Sequence, residues 1–568
     1  MDAATIYARR WWMVVALCFS LLIIGMDLTI LNVALPTLAK DLHAGTSSLQ
    51  WMVDAYTLVY ASMLLTTGSL GDRFGRKGAL NIGLVIFGLG SLASAFSGSA
   101  NLLIACRAVM GLGGCLIMPA TLSILTNVFT DHRERAKAIG FWAAVAGLGI
   151  VAGPTLGGIL LQHFWWGSVF LINVPVVAIA LIVGKFVVPT SKDPNATPLD
   201  PIGTVLSVVG LSLVLYAIIE APTIGMGSST VIGSLVAGLA IVGGFIAWEL
   251  HSDHPMLDVR FFEDRRFSAA SLTITLAFFA LNGLMFFLTQ YLQSVLGYST
   301  LRAGLALIPV GVAMAISAPS SAKIDAKLGS KITVVIGMVI AAAGVGVLAF
   351  ASADSPYTVV AVALGLLGIG AGLVMTPATN SIMGSLPLAK AGVGSAVNDT
   401  TRQVGGALGV AILGSVASAL YRSKVGATAS FHALPAGFQS VVRAGIGNVA
   451  IVRHSLPATA AALSKTLNVQ ASSSFVGAMH FTAVVCSIFL LLGGLVALIW
   501  LPAHAADEAG AARRRGVPEP TAVATAGTLD AATPVVAAIA AQTDAEVEAE
   551  LEELAEEPAA SAPRAAGE

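Results

Sequence analysis

Four ionisable side chains, Asp27, Asp54, Arg107 and Arg402, lie inside runs that are otherwise apolar. A charge in hydrocarbon is costly, so each is a functional candidate by default. Counted along helices at 1.5 Å per residue, Asp27, Asp54 and Arg107 share a depth of roughly 6–12 Å below one surface, which lets opposite signs pair. A carboxylate placed there can hold a cation or a proton, but hardly both at once. Burial favours the neutral acid and a nearby cation favours the anion, so a movement that exchanges these surroundings lets an entering proton expel a bound cation. The plain alternative is a static Asp–Arg bridge that locks helices together, and for Asp54 a place in interfacial water. Glu220 and Glu249 fall at the ends of apolar runs, where solvation is the expectation.

The elements that must carry these groups are membrane spans. Hydrophobic residues make up 56% of the 568 and charged ones 11%, with a mean hydropathy of +0.85; a soluble chain carries about 25% charged residues. Runs of roughly 20 apolar residues, enough for a ~30 Å core, occur near 12–34, 50–71, 78–97, 102–126, 137–161, 165–189, 199–219, 229–248, 267–293, 301–322, 332–352, 357–379, 396–421 and 478–501. The chain therefore reads as all-α and integral to the membrane, with fourteen transmembrane helices. Alternating the loops gives one side 17 Lys and Arg, from Arg9 to Lys390, and the other 7, five of them in the long loop 422–477. By the positive-inside rule both termini are cytoplasmic and the chain is a multi-pass protein of the cell (cytoplasmic) membrane. The first run is too long for a signal-peptide core and is expected to stay as a span.

Between spans two and three stands Gly68-Ser-Leu-Gly71-Asp72-Arg73-Phe-Gly75-Arg76-Lys77. Its glycines permit a sharp turn and close helix approach, and its cations hold the turn inside. A merely basic loop accounts for the cations but not for Asp72 or the glycine spacing. Lys323-Ile-Asp325-Ala-Lys327-Leu-Gly329-Ser-Lys331 is a weaker counterpart, pointing to parallel repeats of six spans. The division that follows is 1–190 for the first six-helix bundle, 191–250 for a linker and two inserted helices, 251–502 for the second bundle with the external loop 422–477, and 503–568 for a disordered tail. That tail carries 13 acids and 4 bases. Loop 422–477 holds one candidate amphipathic helix near 436–449.

In span five, Gly147, Gly149, Gly153, Pro154, Gly157 and Gly158 make a thin, proline-broken helix that can pack closely and decide which face stays shut; packing without gating is the alternative. Span nine carries Phe278, Phe279, Asn282, Met285, Phe286, Phe287, Gln290 and Tyr291, and span four carries Met110 and Met118, candidates for an adaptable pocket. Tyr56, Asn32, Asn398 and Arg402 complete the pocket candidates. For any one of them, core or lipid packing is the competing account. Cys18, Cys106, Cys115 and Cys486 fall inside spans and read as packing residues, the nine histidines form no metal-ligand cluster, and no nucleotide-binding GxxxxGK[ST] loop is present. No cofactor, metal or enzymatic activity is expected.

These residues together resemble the major facilitator superfamily, in its fourteen-span drug:proton antiporter branch of the EmrB/QacA type. Met26-Asp27-Leu-Thr-Ile-Leu-Asn32-Val-Ala-Leu-Pro36 resembles the branch's first-span motif, and Gly68–Lys77 the superfamily's loop between spans two and three. Arg107 within Leu103–Gly113 matches the fourth-span arginine motif, and Gly147–Gly158 the antiporter motif. Tyr291–Ser299 and Asn398–Gly406 also resemble stretches usual there. Gly71 stands where alanine is common, and Asp399 adds a carboxylate beside Arg402. The resemblance implies a major facilitator fold, two six-helix bundles plus two inserted helices, working by alternating access. It further implies a cytoplasmic latch around Asp72, proton transfer aided by Arg107, and export marked by Pro154.

The leading expectation is a proton-coupled multidrug efflux antiporter for amphipathic, cationic or neutral compounds. Its partners are then small-molecule substrates, protons and the lipid bilayer, with no nucleic acid, and the chain works as a monomer. A dedicated exporter of an endogenous natural product or lipid is the alternative, and a non-transporting membrane sensor signalling through the acidic tail is one of another class.

Overall fold

The computed structural model describes residues 3–44, 46–192, 200–225, 227–252 and 254–502; the acidic tail lies outside them. Every regular element among the described residues is helical. The order is α1 (Ala3–Asp41), α2 (Thr46–Phe74), α3 (Arg76–Ala95), α4 (Ala100–Val128), α5 (His132–His163), α6 (Ser168–Leu171), α7 (Asn173–Val187), α8 (Pro201–Ile224), α9 (Ser229–His251), α10 (Arg265–Gln290), α11 (Thr300–Leu305), α12 (Ile308–Val347), α13 (Tyr357–Gly384), α14 (Ala391–Gly426), α15 (Ala429–His432), α16 (Ala436–Ala444), α17 (Val449–Ser455) and α18 (Ala461–Trp500). In lipid no water satisfies the backbone, so helices, which satisfy themselves, are the expected result. Their starts are fixed by side-chain caps: Asp131 accepts from the Glu134 N–H at 2.8 Å, and Asp200, followed by Pro201, accepts from Gly203 at 2.8 Å. Both satisfy donors that the first helical turn leaves open.

Twelve stretches among the described residues are long and apolar enough to cross a membrane. α2 is not among them, because Asp54, Tyr56, Thr57 and Tyr60 dilute its hydropathy. One of the twelve, Leu301–Phe350, runs for 50 residues, about 75 Å if straight and more than twice the ~30 Å core. It is divided at Gly329, whose φ of 81° and ψ of 160° are non-helical. The set is compatible with the fourteen spans read from the sequence, once α2 and the two arms of α12 are taken separately. Only glycine adopts the Gly329 backbone readily, and forcing a side chain there costs about 1–3 kcal/mol. Gly329→Ala is therefore expected to lower the thermal midpoint of the purified protein; an unchanged midpoint would show that the break tolerates relaxation.

Two hydrophobic cores form, one around α1–α7 and one around α10–α18. In the first, α1 packs on α5, and α4 on α2 and α3; in the second, α10 packs on α14 and α18, and α12 on α13. The halves meet where α5 lies on α12 and where α2 lies on α14. α8 and α9 form a hairpin that touches both halves through α8, against α2 and α14.

Two stretches differ from the expectations above. The 422–477 segment is largely helical: α14 continues to Gly426, α18 begins at Ala461, and α15–α17 lie between. Alanine-rich sequence favours helix whatever its hydropathy, so a span boundary drawn from apolarity stops short of the helix end. Phe431, Val442, Ile446 and Val452 of this segment are buried in the second core. Glu249, expected in interfacial water, is instead only 3% exposed and accepts from the Leu257 N–H at 3.2 Å.

Candidate functional site

Asp27 of α1 and Arg107 of α4 form a buried ion pair, 2.5 Å from Nη1 to Oδ2, with the side chains 0% and 1% exposed. The rest of the guanidinium is held as well. Its Nε donates to the Met52 carbonyl of α2 at 3.0 Å, and the group lies 4.5 Å from the centre of the buried Tyr56 ring. Asn173 of α7 donates to the other Asp27 oxygen at 3.4 Å and to Ser91 Oγ of α3 at 3.1 Å. Two helices, α4 and α7, thus meet the α1 carboxylate directly, and α2 and α3 join the network through Arg107 and Asn173. A buried charge is tolerable only when paired and hydrogen-bonded, and Asp27 has both kinds of partner.

Asp72, the last acid of α2, sits at the N-terminus of α14 in the other half. Its carboxylate accepts from the N–H of Gly392 at 2.8 and 2.9 Å, of Val393 at 3.1 Å, and from Arg76 Nε at 2.8 Å. A helix start presents unpaired N–H groups and a positive dipole end, so a carboxylate belongs there. Arg76 reaches on to the Leu388 and Ala389 carbonyls, both at 2.9 Å. Gly68 makes this approach possible, since a Cβ there would lie 2.6 Å from the Gly392 carbonyl oxygen. Gly75, at φ 112°, turns the chain between α2 and α3. Lys77 Nζ caps the end of α7, on the carbonyls of Lys185 at 3.0 Å and Val188 at 2.7 Å, and Arg73 lies over the Phe74 ring. The same end is tied again by Arg135 of α5, whose Nε donates to Asn380 Oδ1 of α13 at 3.1 Å.

The small residues of α5 serve two partners. Gly149, Gly153 and Gly157 face α1: a Cβ at Gly153 would come within 2.6 Å of the Met26 carbonyl oxygen, and one at Gly157 within 2.9 Å of Ile30. Gly147, Pro154 and Gly158 face the second half, against Met314 of α12, Gly304 of α11 and Leu301. One helix therefore grips α1 a single turn from Asp27 and also forms the seam between halves.

A second buried polar cluster lies in the other half. Arg402 of α14 donates to Thr379 Oγ1 of α13 at 2.9 Å, stands 3.7 Å from Asp399, and lies over Trp142 of α5 at 4.9 Å and Phe278 at 5.5 Å. Asn398 accepts from Thr379 at 3.2 Å and donates to Asp399 at 3.3 Å. Asp54 does not join Asp27 and Arg107. It is half-buried on α2, with Glu220 of α8 as its charged neighbour, one turn from a Trp51–Tyr216 stack at 6.1 Å.

The remaining pocket candidates scatter. Met110 is buried against Arg107 and Ser94, and the Tyr56 hydroxyl finds no hydrogen-bond partner among the described residues. Asn282 is half-buried against Gly406, Gln290 folds back on the Phe286 carbonyl at 3.5 Å, and Tyr291 donates to the Ser352 carbonyl at 2.6 Å. Asn32 and Phe286 are exposed. The Met52 carbonyl, Asn173, Ser91 and Thr379 are the partners that sequence reasoning missed; a backbone carbonyl and neutral polar side chains inside spans give no charge signal.

The sequence profile described as Major Facilitator Superfamily matches residues 17–410. The chain belongs to the major facilitator superfamily. That places it in a transporter family rather than among enzymes. It is similar to the multidrug efflux pump LfrA of Mycolicibacterium smegmatis, 35% identical over 488 residues that cover 86% of this chain and 95% of the relative. It is also similar to the tetracenomycin C resistance and export protein of Streptomyces glaucescens, 33% identical over 425 residues, 75% of this chain and 78% of the relative. Among solved structures, the proton:xylose symporter XylE superposes with a TM-score of 0.56 at 14% identity, over 87% of this chain and 96% of that one. At that identity the likeness concerns the fold alone.

Proposed function

We propose that this superfamily member is a proton-coupled multidrug efflux antiporter, exporting amphipathic cationic or neutral compounds by alternating access. The observation that carries the reading is the buried Asp27–Arg107 pair, set one turn from the α5 glycines that grip α1. Protonating Asp27 removes the anion that holds Arg107, and the guanidinium then turns to its remaining acceptor, the Met52 carbonyl. The α1–α4 tie loosens while α5, shared with the second half, transmits the movement to the seam. Asp54, facing α8, supplies a second acidic centre on the path, and the Asn398–Arg402 cluster the polar wall of the other half.

The latch at Asp72 fits a cytoplasmic end that is shut in this conformation, with both termini cytoplasmic and the chain in the cell membrane as a monomer of fourteen spans. The bundles are 1–190 and 251–502, with 191–250 as the inserted pair and 503–568 as an appended tail. A dedicated exporter of one natural product is the second reading, favoured by the likeness to the tetracenomycin C export protein.

The test uses everted vesicles with an imposed pH gradient and a fluorescent lipophilic cation. The parent chain should move dye only with the gradient, and Asp27→Asn, which keeps the shape but not the charge, should lose that dependence at every pH. Full export by Asp27→Asn would sink the assignment. Transport of a single compound, with no competition among unrelated dyes, would favour the dedicated exporter.

A further inference from the structure

An apolar concavity lies on the outer face of the first half, between α1 and α5. It measures about 410 Å³ and is lined by Trp11, Val14, Val15, Cys18, Phe19, Leu22, Phe141 and Val145. Two ridges of α1, 11-15-19 and 14-18-22, form one wall, and Phe141 with Val145 form the other. From Trp11 to Leu22 the channel runs about 16 Å along the membrane normal, at 1.5 Å per residue. Trp11 and the exposed Trp12 mark its mouth as the interfacial level, where indole rings concentrate.

The mouth is cationic. Arg133 and Lys137 continue the 141-145 ridge toward the helix start at four-residue spacing, both are exposed, and neither makes a hydrogen bond or ion pair with a described residue. The neighbouring Arg10 is already spent, paired with Glu134 at 2.9 Å across the α1–α5 entrance. Apart from the Cys18 thiol and the Trp11 indole N–H the lining is apolar, so the channel has too few polar groups to orient a drug by hydrogen bonds as ligand pockets do. Any selectivity must come from the charged end.

We propose that this groove binds one anionic phospholipid, an acyl chain lying along the channel and the phosphate held by Lys137 and Arg133. Basic mouths between membrane helices recognise lipid headgroups in this way. The site holds whether or not the chain exports drugs, since it touches neither Asp27 nor the Asp72 latch. It does span α1 and α5, the two helices joined through Gly149, Gly153 and Gly157.

Native mass spectrometry of the full chain, equilibrated with equimolar palmitoyl-oleoyl phosphatidylglycerol and phosphatidylethanolamine, tests it. One phosphatidylglycerol should be retained in preference. Lys137→Ala should reduce that retention about fivefold, and Lys137→Ala with Arg133→Ala about 25-fold, from the attraction of each cation near a lipid surface. Cys18→Trp, which fills the channel, should lose the lipid, while Lys327→Ala, an exposed cation elsewhere, should change nothing. Equal retention of the two lipids overturns the proposal. So does undiminished phosphatidylglycerol in the double variant, or a loss in Lys327→Ala as large as in Lys137→Ala.

Discussion

Arg107→Ala is expected to cost the fold about 3–5 kcal/mol, the usual loss when one partner of a buried pair is removed and its counter-charge stays behind. Gradient-driven export should vanish with it. The residue left stranded is Asp27, whose remaining partner is the Asn173 amide at 3.4 Å. A double variant separates the two effects. Arg107→Ala with Asp27→Asn removes the orphaned charge and should recover most of the thermal midpoint, yet restore no coupling, because contacting residues of this kind are not additive. Arg107→Lys keeps a charge but loses the fork that reaches Asp27 and the Met52 carbonyl together, so it should fall between. Thermal unfolding in detergent, read beside vesicle transport, gives both quantities. A native midpoint in Arg107→Ala would mean that the pair is not formed in the membrane.

Asp72→Ala should open the end that the latch closes. The carboxylate accepts two backbone N–H groups of α14 and one guanidinium N–H, and hydrogen bonds to a charged group contribute about 1.5–3 kcal/mol each, without full additivity. Even 2 kcal/mol shifts a two-state equilibrium roughly 30-fold, since about 1.4 kcal/mol is tenfold. Spin labels at Gly78→Cys and Pro387→Cys, both exposed and on opposite halves of that end, would report it as a longer distance distribution. Asp72→Asn keeps an oxygen acceptor but loses the charge, so a smaller change is expected. An unaltered distribution in Asp72→Ala would show that Arg76, with the Leu388 and Ala389 carbonyls, suffices to hold the seam.

What the sequence made legible was set by cost. Charges inside apolar runs are rare and expensive, so Asp27 and Arg107 stood out, and counting helix turns put them at one depth; the structure pairs them. The Asp72 loop was legible because glycine spacing and an acid among cations have few other uses. The same depth argument grouped Asp54 with them, whereas it faces Glu220 of α8. Depth along a helix says nothing of azimuth, and the inserted hairpin gave no sign of which face of α2 it would cover. Thr379, Ser91 and Asn173 were invisible for a related reason: neutral polar groups are cheap enough to occur in many spans. Of the helices of 427–460, only α16, within the amphipathic stretch near 436–449, was legible; α15 and α17 were missed because hydropathy registers lipid contact, and this segment buries Phe431, Val442 and Val452 against protein instead.

The Asp72–Arg76 latch has a consequence for how the chain is made. Its two halves are separated by 312 residues, counted from Arg76 to Leu388. At about 5–20 residues per second of synthesis, Arg76 waits roughly 16–60 s for the carbonyls it will cap. During that interval the i,i+4 bridge to Asp72, 2.6 Å in the finished protein, is a contact that the sequence can supply locally. It keeps a guanidinium destined for 1% exposure neutralised at the membrane face while the second bundle is still being inserted. The short-range pair is thus expected to form first and to be retained, since in the finished protein Asp72 accepts from Arg76 and from the Gly392 and Val393 N–H groups together.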